Sequence, residues 1–146
     1  MSEENAEIVS SWYEGVNRYH AAKARGDEGE LQTIWDAVVS FVAPGFEYCE
    51  DPRWPGAQTY RGIDKCRAVW EEYYEQVGEQ VFVPEDFMAA RDKVLALITW
   101  RGKGTTSGAE TEMRQGHVFT LRNRRLTRWE IFFDRDEALE AAGLSE

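Results

Sequence analysis

The apolar positions of this chain are spaced for helices in its first half and for strands in its second. From Glu3 to Ala24, Ile8, Trp12, Val16 and Tyr19 recur at helical spacing, and Val9 and Tyr13 widen the stripe into one buried face. His20 is placed on the exposed part of that helix. The glycines of Arg25–Glu30 (RGDEGE) break it. A second helix is predicted over Glu30–Val42, with Leu31, Ile34, Trp35, Val38 and Phe41 on one side and Pro44-Gly45 as its stop. A short strand follows, Phe46–Glu50, closed by Pro52 and Pro55. A third helix carries Ile63, Cys66, Trp70, Tyr73 and Val77 and ends at Gly78.

The remainder alternates with period two. Strands are predicted at Glu85–Ala90, Val94–Arg101, Thr111–Leu121 and Leu126–Phe133, with a glycine-rich loop over Gly102–Gly108. The tight turn at Arg122–Arg125 has Asn123-Arg124 where Asn-Gly is usual, so a non-glycine residue is expected at positive φ. A terminal helix, EALEAAG, follows Asp134, which with Glu137 fits a capping box. Helices first and strands last indicate an α+β fold. The length suits a single domain, 1–146, and the pattern shows no repeat or linker.

Strand parity separates an inner surface from an outer one. In the last strand Thr127, Trp129, Ile131 and Phe133 share a side, and Arg128, Glu130 and Phe132 share the other. In the strand before it, Met113, Gln115 and His117 fall inward and Glu112, Arg114 and Gly116 outward. Ile98 and Trp100 take the inner side of their strand, as do Tyr48 and Glu50 of the first. With Trp12, Trp70 and Tyr73 from the helices, these form mostly apolar walls with a few polar groups, the makeup of a small-molecule pocket. The alternative is that the rings simply fill a core. Arg53 and Trp54, between two prolines, are placed at the mouth or in a lid.

Charge and composition remove other classes. A formal net charge of −10 disfavours nucleic acid and anionic membranes as partners, which need clustered Lys and Arg. No apolar stretch reaches the ~20 residues of a membrane span, and the acidic N-terminus lacks a signal-peptide core. Two cysteines, Cys49 and Cys66, without metal-type spacing suggest a cytoplasmic protein with free thiols. Two unpaired histidines give no metal site, so none is expected.

The stretches SWYEGVNR (11–18), FVAPGFEYCEDPRWPG (41–56), YRGIDKCRAVWEEYY (60–74), HVFTLRNRRLTRWEIFFD (117–134) and EALEAAGL (137–144) resemble SnoaL-like proteins of the nuclear-transport-factor-2-like superfamily. The resemblance implies a cone-shaped α+β barrel, with helices on a curved antiparallel sheet around a central pocket. It also implies a homodimer through the outer sheet face, which the mixed residues there would suit. Ketosteroid isomerases, relatives within the superfamily, place a catalytic aspartate before a proline at the end of the first strand. Asp51 before Pro52 matches it, with Glu50 as the competing match. Their acidic oxyanion donor falls at His117, and their helix tyrosine near Trp12 or Tyr13. The Asp–Arg–Asp triad of limonene epoxide hydrolases would fall at Ile98, Trp100 and Ile131, all apolar, so that mechanism is excluded. The acid of SnoaL-type cyclases falls at Ile131 as well.

The expected chemistry needs no cofactor. Glu50 or Asp51, its pKa raised in an apolar pocket, would take a proton next to a carbonyl, and His117 with Tyr48 or Gln115 would hold the enolate. Isomerisation, cyclisation or dehydration of a small apolar or aromatic molecule could follow. The rival reading is a non-catalytic ligand-binding or dimerisation domain, with both carboxylates starting a solvated loop. Superfamily membership does not choose between them.

Overall fold

The computed structural model describes residues 2–75 and 77–144. The expected domain, 1–146, therefore extends past the described residues at Met1, Ser145 and Glu146. The order is α1 (Ser2–Arg25), α2 (Glu28–Val39), β1 (Val42–Cys49), β2 (Thr59–Arg61), α3 (Ile63–Tyr73), β3 (Gln80–Ala90), β4 (Lys93–Lys103), β5 (Glu110–Arg122), β6 (Arg125–Phe132) and α4 (Arg135–Ala141). The architecture is mixed α+β, and the strands form one curved, unclosed sheet in the order β2-β1-β6-β5-β4-β3. All neighbours are antiparallel except β1 and β6, which run parallel.

Three irregularities bend the sheet around the helices. They lie between Val42 and Glu47 in β1, between Pro84 and Asp86 in β3, and at Thr120/Leu121 in β5. Pro44-Gly45 sits in the first of these, so the pair bends β1; α2 has already ended, with Ser40 as its C-cap. Pro84 is tolerated because β3 is an edge strand. α1 covers part of that edge. The Asn17 amide donates to the Phe82 carbonyl (2.7 Å) and accepts from the Phe82 N–H (2.9 Å), a side-chain substitute for a neighbouring strand.

The concave face holds the core. Trp12, Tyr13, Val16 and Tyr19 of α1 and Trp70 of α3 are buried against Phe119 and Trp129 of the sheet. His20 belongs to this set, contrary to its expected exposed position: it follows Val16 by four residues and shares its face. Its Nδ1 meets the Tyr74 hydroxyl at 2.9 Å, and burial pulls its pKa down to about 3.

The convex face is partly covered as well. Leu95, Val118 and Phe132 pack beneath Ala138 of α4 and its C-cap, Ala142. At Gly116 a Cβ would come within 2.5 Å of the Ala138 Cβ, so the missing side chain seats the helix. This part of the mixed outer face is therefore closed by the chain's own helix. Asp134 caps α4 by accepting from the N–H groups of Asp136 (2.8 Å) and Glu137 (3.3 Å). The Glu137 carboxylate turns to Arg53 (2.6 and 2.5 Å), joining α4 to the loop after β1. At the β5–β6 turn Asn123 and Arg124 both take positive φ (52° and 65°), the strained two-residue turn the sequence implies.

Candidate functional site

The two carboxylates at the end of β1 have different environments. Glu50 continues the alternation from Tyr48, and its N–H still bonds the Gln58 carbonyl (3.2 Å). At Asp51 the chain turns, with the Trp54 N–H reaching the Asp51 carbonyl (2.9 Å). The turn swings the Asp51 side chain to the same cavity, so both residues line it. Alternation alone allows only one.

Asp51 is 1% exposed and fully engaged. Its Oδ1 accepts from the Arg53 N–H (2.8 Å), and its Oδ2 accepts from the Phe133 N–H (2.7 Å), with the Arg53 guanidinium 3.6 Å away. It ties the loop to the end of β6. Glu50 is half-buried. Its Oε2 accepts from the Tyr73 hydroxyl and its Oε1 from the Gln58 N–H (3.3 Å). Burial raises its pKa, and the bonds from Tyr73, Gln58 and Tyr48 offset only part of that. Tyr73 is pushed far up, by burial first and then by the Glu50 hydrogen bond, so it keeps its proton. The Trp54 indole N–H donates to the same hydroxyl (3.0 Å).

His117 lies inward as parity requires, but it is fully buried and does not line the cavity. Its Nδ1 receives the Trp129 indole N–H (3.0 Å) and the Tyr13 hydroxyl (2.6 Å). An indole nitrogen only donates, so Nδ1 is unprotonated and the ring proton sits on Nε2. That Nε2–H donates to Gln115 Oε1 (2.8 Å). Burial holds the His117 pKa down at about 3, keeping the ring neutral. His117 and Tyr13, which with Trp12 was one of the two residues near the expected helix donor, are thus bonded to each other inside the core. The expected place of His117 at the cavity wall is therefore corrected: it lies behind Gln115, which lines the cavity and whose amide it holds.

Of the other residues expected at the site, Tyr48, Trp70, Tyr73, Trp100, Ile131 and Phe133 border the cavity, whereas Trp12, Ile98, Met113 and Trp129 are not among its lining residues. Parity reports which face a side chain takes, not its depth, and α1 covers the deeper end. Trp54, Val77, Gln80 and Phe82 complete the lining. Gln80 and Phe82 escape sequence reading because β3 begins at Gln80, five residues before the expected strand. The cavity is about 50 Å³, narrowed where the Trp54 ring meets Tyr73, Trp100 and Phe133 at centroid distances of 5.7, 6.4 and 6.2 Å. Cys49 and Cys66 are free and buried. Among the described residues no cluster of His, Cys, Asp and Glu could hold a metal ion, and no helix is long and apolar enough to cross a membrane.

No curated protein matches the sequence. Solved structures do. An NTF2-like protein of unknown function from Burkholderia pseudomallei is 22% identical, with 96% of this chain and 97% of that one covered and a TM-score of 0.70. A protein from a Jannaschia species, assigned as a SnoaL-like polyketide cyclase, is 19% identical over 90% of this chain and 86% of that one, with a TM-score of 0.68. TerC, co-crystallised with polyporic acid, is 17% identical over 96% of this chain and 98% of that one, with a TM-score of 0.69. At these identities the likeness speaks for the fold, which is NTF2-like. The SnoaL-like domain model matches residues 12–129, most of the chain and every strand but the end of β6, and on that match the protein belongs to the SnoaL-like domain family.

Proposed function

We propose that the protein is a small-molecule enzyme in which Glu50 removes a proton next to a carbonyl. The observation that carries this reading is the Glu50 carboxylate: half-buried at an aromatic cavity, with its pKa raised toward the range of a working base. The C–H electron pair would move onto the carbonyl oxygen, which accepts an N–H from Gln115. Glu50 then returns the proton at another carbon, giving isomerisation, or the enolate carbon attacks an internal carbonyl whose π pair moves to its oxygen and takes the proton from Glu50, giving cyclisation. Tyr73 steadies the carboxylate and Asp51 holds the loop that carries it. The fold-level likeness to a protein assigned as a polyketide cyclase, and to one crystallised with polyporic acid, supports an oxygenated aromatic or apolar substrate.

One observation favours the rival, a non-catalytic domain. The cavity, about 50 Å³, lies far below the roughly 300 Å³ of small ligand pockets. An enzyme of this design must therefore move Trp54 to admit a substrate.

5-Nitrobenzisoxazole tests base catalysis without knowledge of the natural substrate. A carboxylate takes its ring C–H, the N–O bond breaks, and the product is a coloured nitrophenolate. The expected result is turnover that falls about 100-fold or more in Glu50→Gln. Equal rates in wild type and Glu50→Gln would refute the assignment.

A further inference from the structure

The orientation of two buried amides specifies the ligand more closely than the base does. The Trp100 indole N–H donates to Gln80 Oε1 (2.8 Å), so the oxygen of that amide is occupied. The Gln115 oxygen is occupied by the His117 Nε2–H, whose tautomer is set by Trp129. Both amides are thereby turned the same way, oxygen toward the protein and NH₂ left over. Gln115 spends one N–H on the Met113 sulfur (3.3 Å), and the Gln80 nitrogen has no partner among the described residues. Both side chains line the cavity, and both residues are more than nine-tenths buried, at 8% and 5% exposure. Neither nitrogen is a sealed, unpartnered donor, so each amide keeps an N–H that water in the cavity can meet and that a ligand oxygen can take over, at two places.

The charge around them narrows the class. Among the described residues no Lys, Arg or His lines the cavity, while Glu50 and Asp51 do. A carboxylate, sulfate or phosphate ligand would enter beside two acidic groups, and the nearby Arg53 is already paired with Asp51 and Glu137. The walls are otherwise aromatic rings. We infer that, with the Trp54 ring moved aside, the protein binds an uncharged planar or near-planar ring carrying oxygen acceptors at two positions, of the cyclic diketone or quinone class, held by the N–H groups of Gln80 and Gln115. This deepens the proton-abstraction reading and rests on it for the reaction, but not for the binding. Trp100 and His117 are positioning residues, acting only through the amides they turn.

The test is side-chain amide NMR on the full-length ¹⁵N-labelled protein, titrated with 1,4-cyclohexanedione and, separately, with cyclohexanone and benzoate. Gln80→Glu and Gln115→Glu assign the two NH₂ signals. The dione is expected to shift both signals downfield and to bind about tenfold or more tightly than cyclohexanone, with benzoate weaker still. Trp100→Phe is expected to abolish the Gln80 response while leaving that of Gln115, which loss of packing alone would not do. Glu50→Gln should keep dione affinity within about threefold, so a catalytic failure at Glu50 leaves the binding result standing. Absence of dione binding, binding with both amide signals unmoved, or benzoate binding as tightly as the dione would each overturn the inference. The wild-type shifts decide the matter even where a variant fails to fold.

Discussion

Replacing each of the two adjacent carboxylates by its amide separates a structural acid from a working one. In Asp51→Asn one oxygen remains, but the new NH₂ must face either the Arg53 N–H or the Phe133 N–H, which the lost oxygen accepted at 2.8 or 2.7 Å. The site is 1% exposed, so water cannot substitute. One buried N–H left unpaired costs about 1–3 kcal/mol. The contact with the half-exposed Arg53 adds little. We therefore expect about 2 kcal/mol of destabilisation. Glu50→Gln is different. A glutamine oxygen still accepts the Tyr73 hydroxyl, the bond lost to Gln58 is long (3.3 Å), and the burial of a charge is relieved. The net change at pH 7 should lie within about 0.5 kcal/mol of zero or be stabilising. Urea denaturation followed by tryptophan fluorescence measures both; with a slope of about 2 kcal/mol/M, Asp51→Asn lowers the midpoint by about 1 M. Equal losses from both variants, or a larger loss from Glu50→Gln, would refute the division of labour between the two acids.

Three further outcomes follow from the same contacts. Tyr73→Phe removes a hydrogen bond that favours the Glu50 carboxylate, so the acid limb of any Glu50-dependent rate should move to higher pH; an unmoved limb would separate Glu50 from the titration. His20 and His117 are held neutral with pKa values of about 3, below their unfolded value. The unfolded chain takes up protons first, so stability is full above about pH 6.5 and falls as pH drops from there toward 3, by on the order of 1 kcal/mol per histidine per pH unit. Glu50, with its raised pKa, acts in the opposite direction: its contribution is present at low pH and lost as pH rises through its folded value. Denaturation midpoints at pH 5 and pH 7 should show the histidine trend, and flat imidazole NMR shifts between pH 5 and 8 its cause. Finally, Gly116→Ala drives a methyl into Ala138 and should cost about 1–3 kcal/mol, read from the thermal midpoint.

Most of the architecture is written in the periodicity of the chain, and the losses have local causes. The helical stripes of α1 and α3 and the two-residue alternation of β4 to β6 are long enough to outweigh any single residue. β2 is three residues, Thr59–Arg61, too short to show a period. The start of β1 is hidden because Pro44 and Gly45 serve there as a bend, and the start of β3 because Pro84 interrupts it on an edge. At the site, parity brings Tyr48, Glu50, Trp100, Gln115, Ile131 and Phe133 to one cavity. It cannot see that Tyr13 covers His117, since that contact joins residues 104 positions apart. Nor can it see the turn at Asp51, which depends on a backbone N–H of β6.

The parallel pairing of β1 with β6 has a consequence for biogenesis. Glu47 and Arg128, joined at 2.7 Å, are 81 positions apart, and Tyr48 settles against Trp129 across the same seam. A ribosome releases β1 long before it makes its partner, and until then, among the described residues, its one strand neighbour is the three-residue β2. The acids at its end can reach their final surroundings only after the chain has emerged through Phe133, so docking of this seam is a long-range event, and nascent chains ending before Arg125 carry an unsealed flank open to chaperones or to other chains.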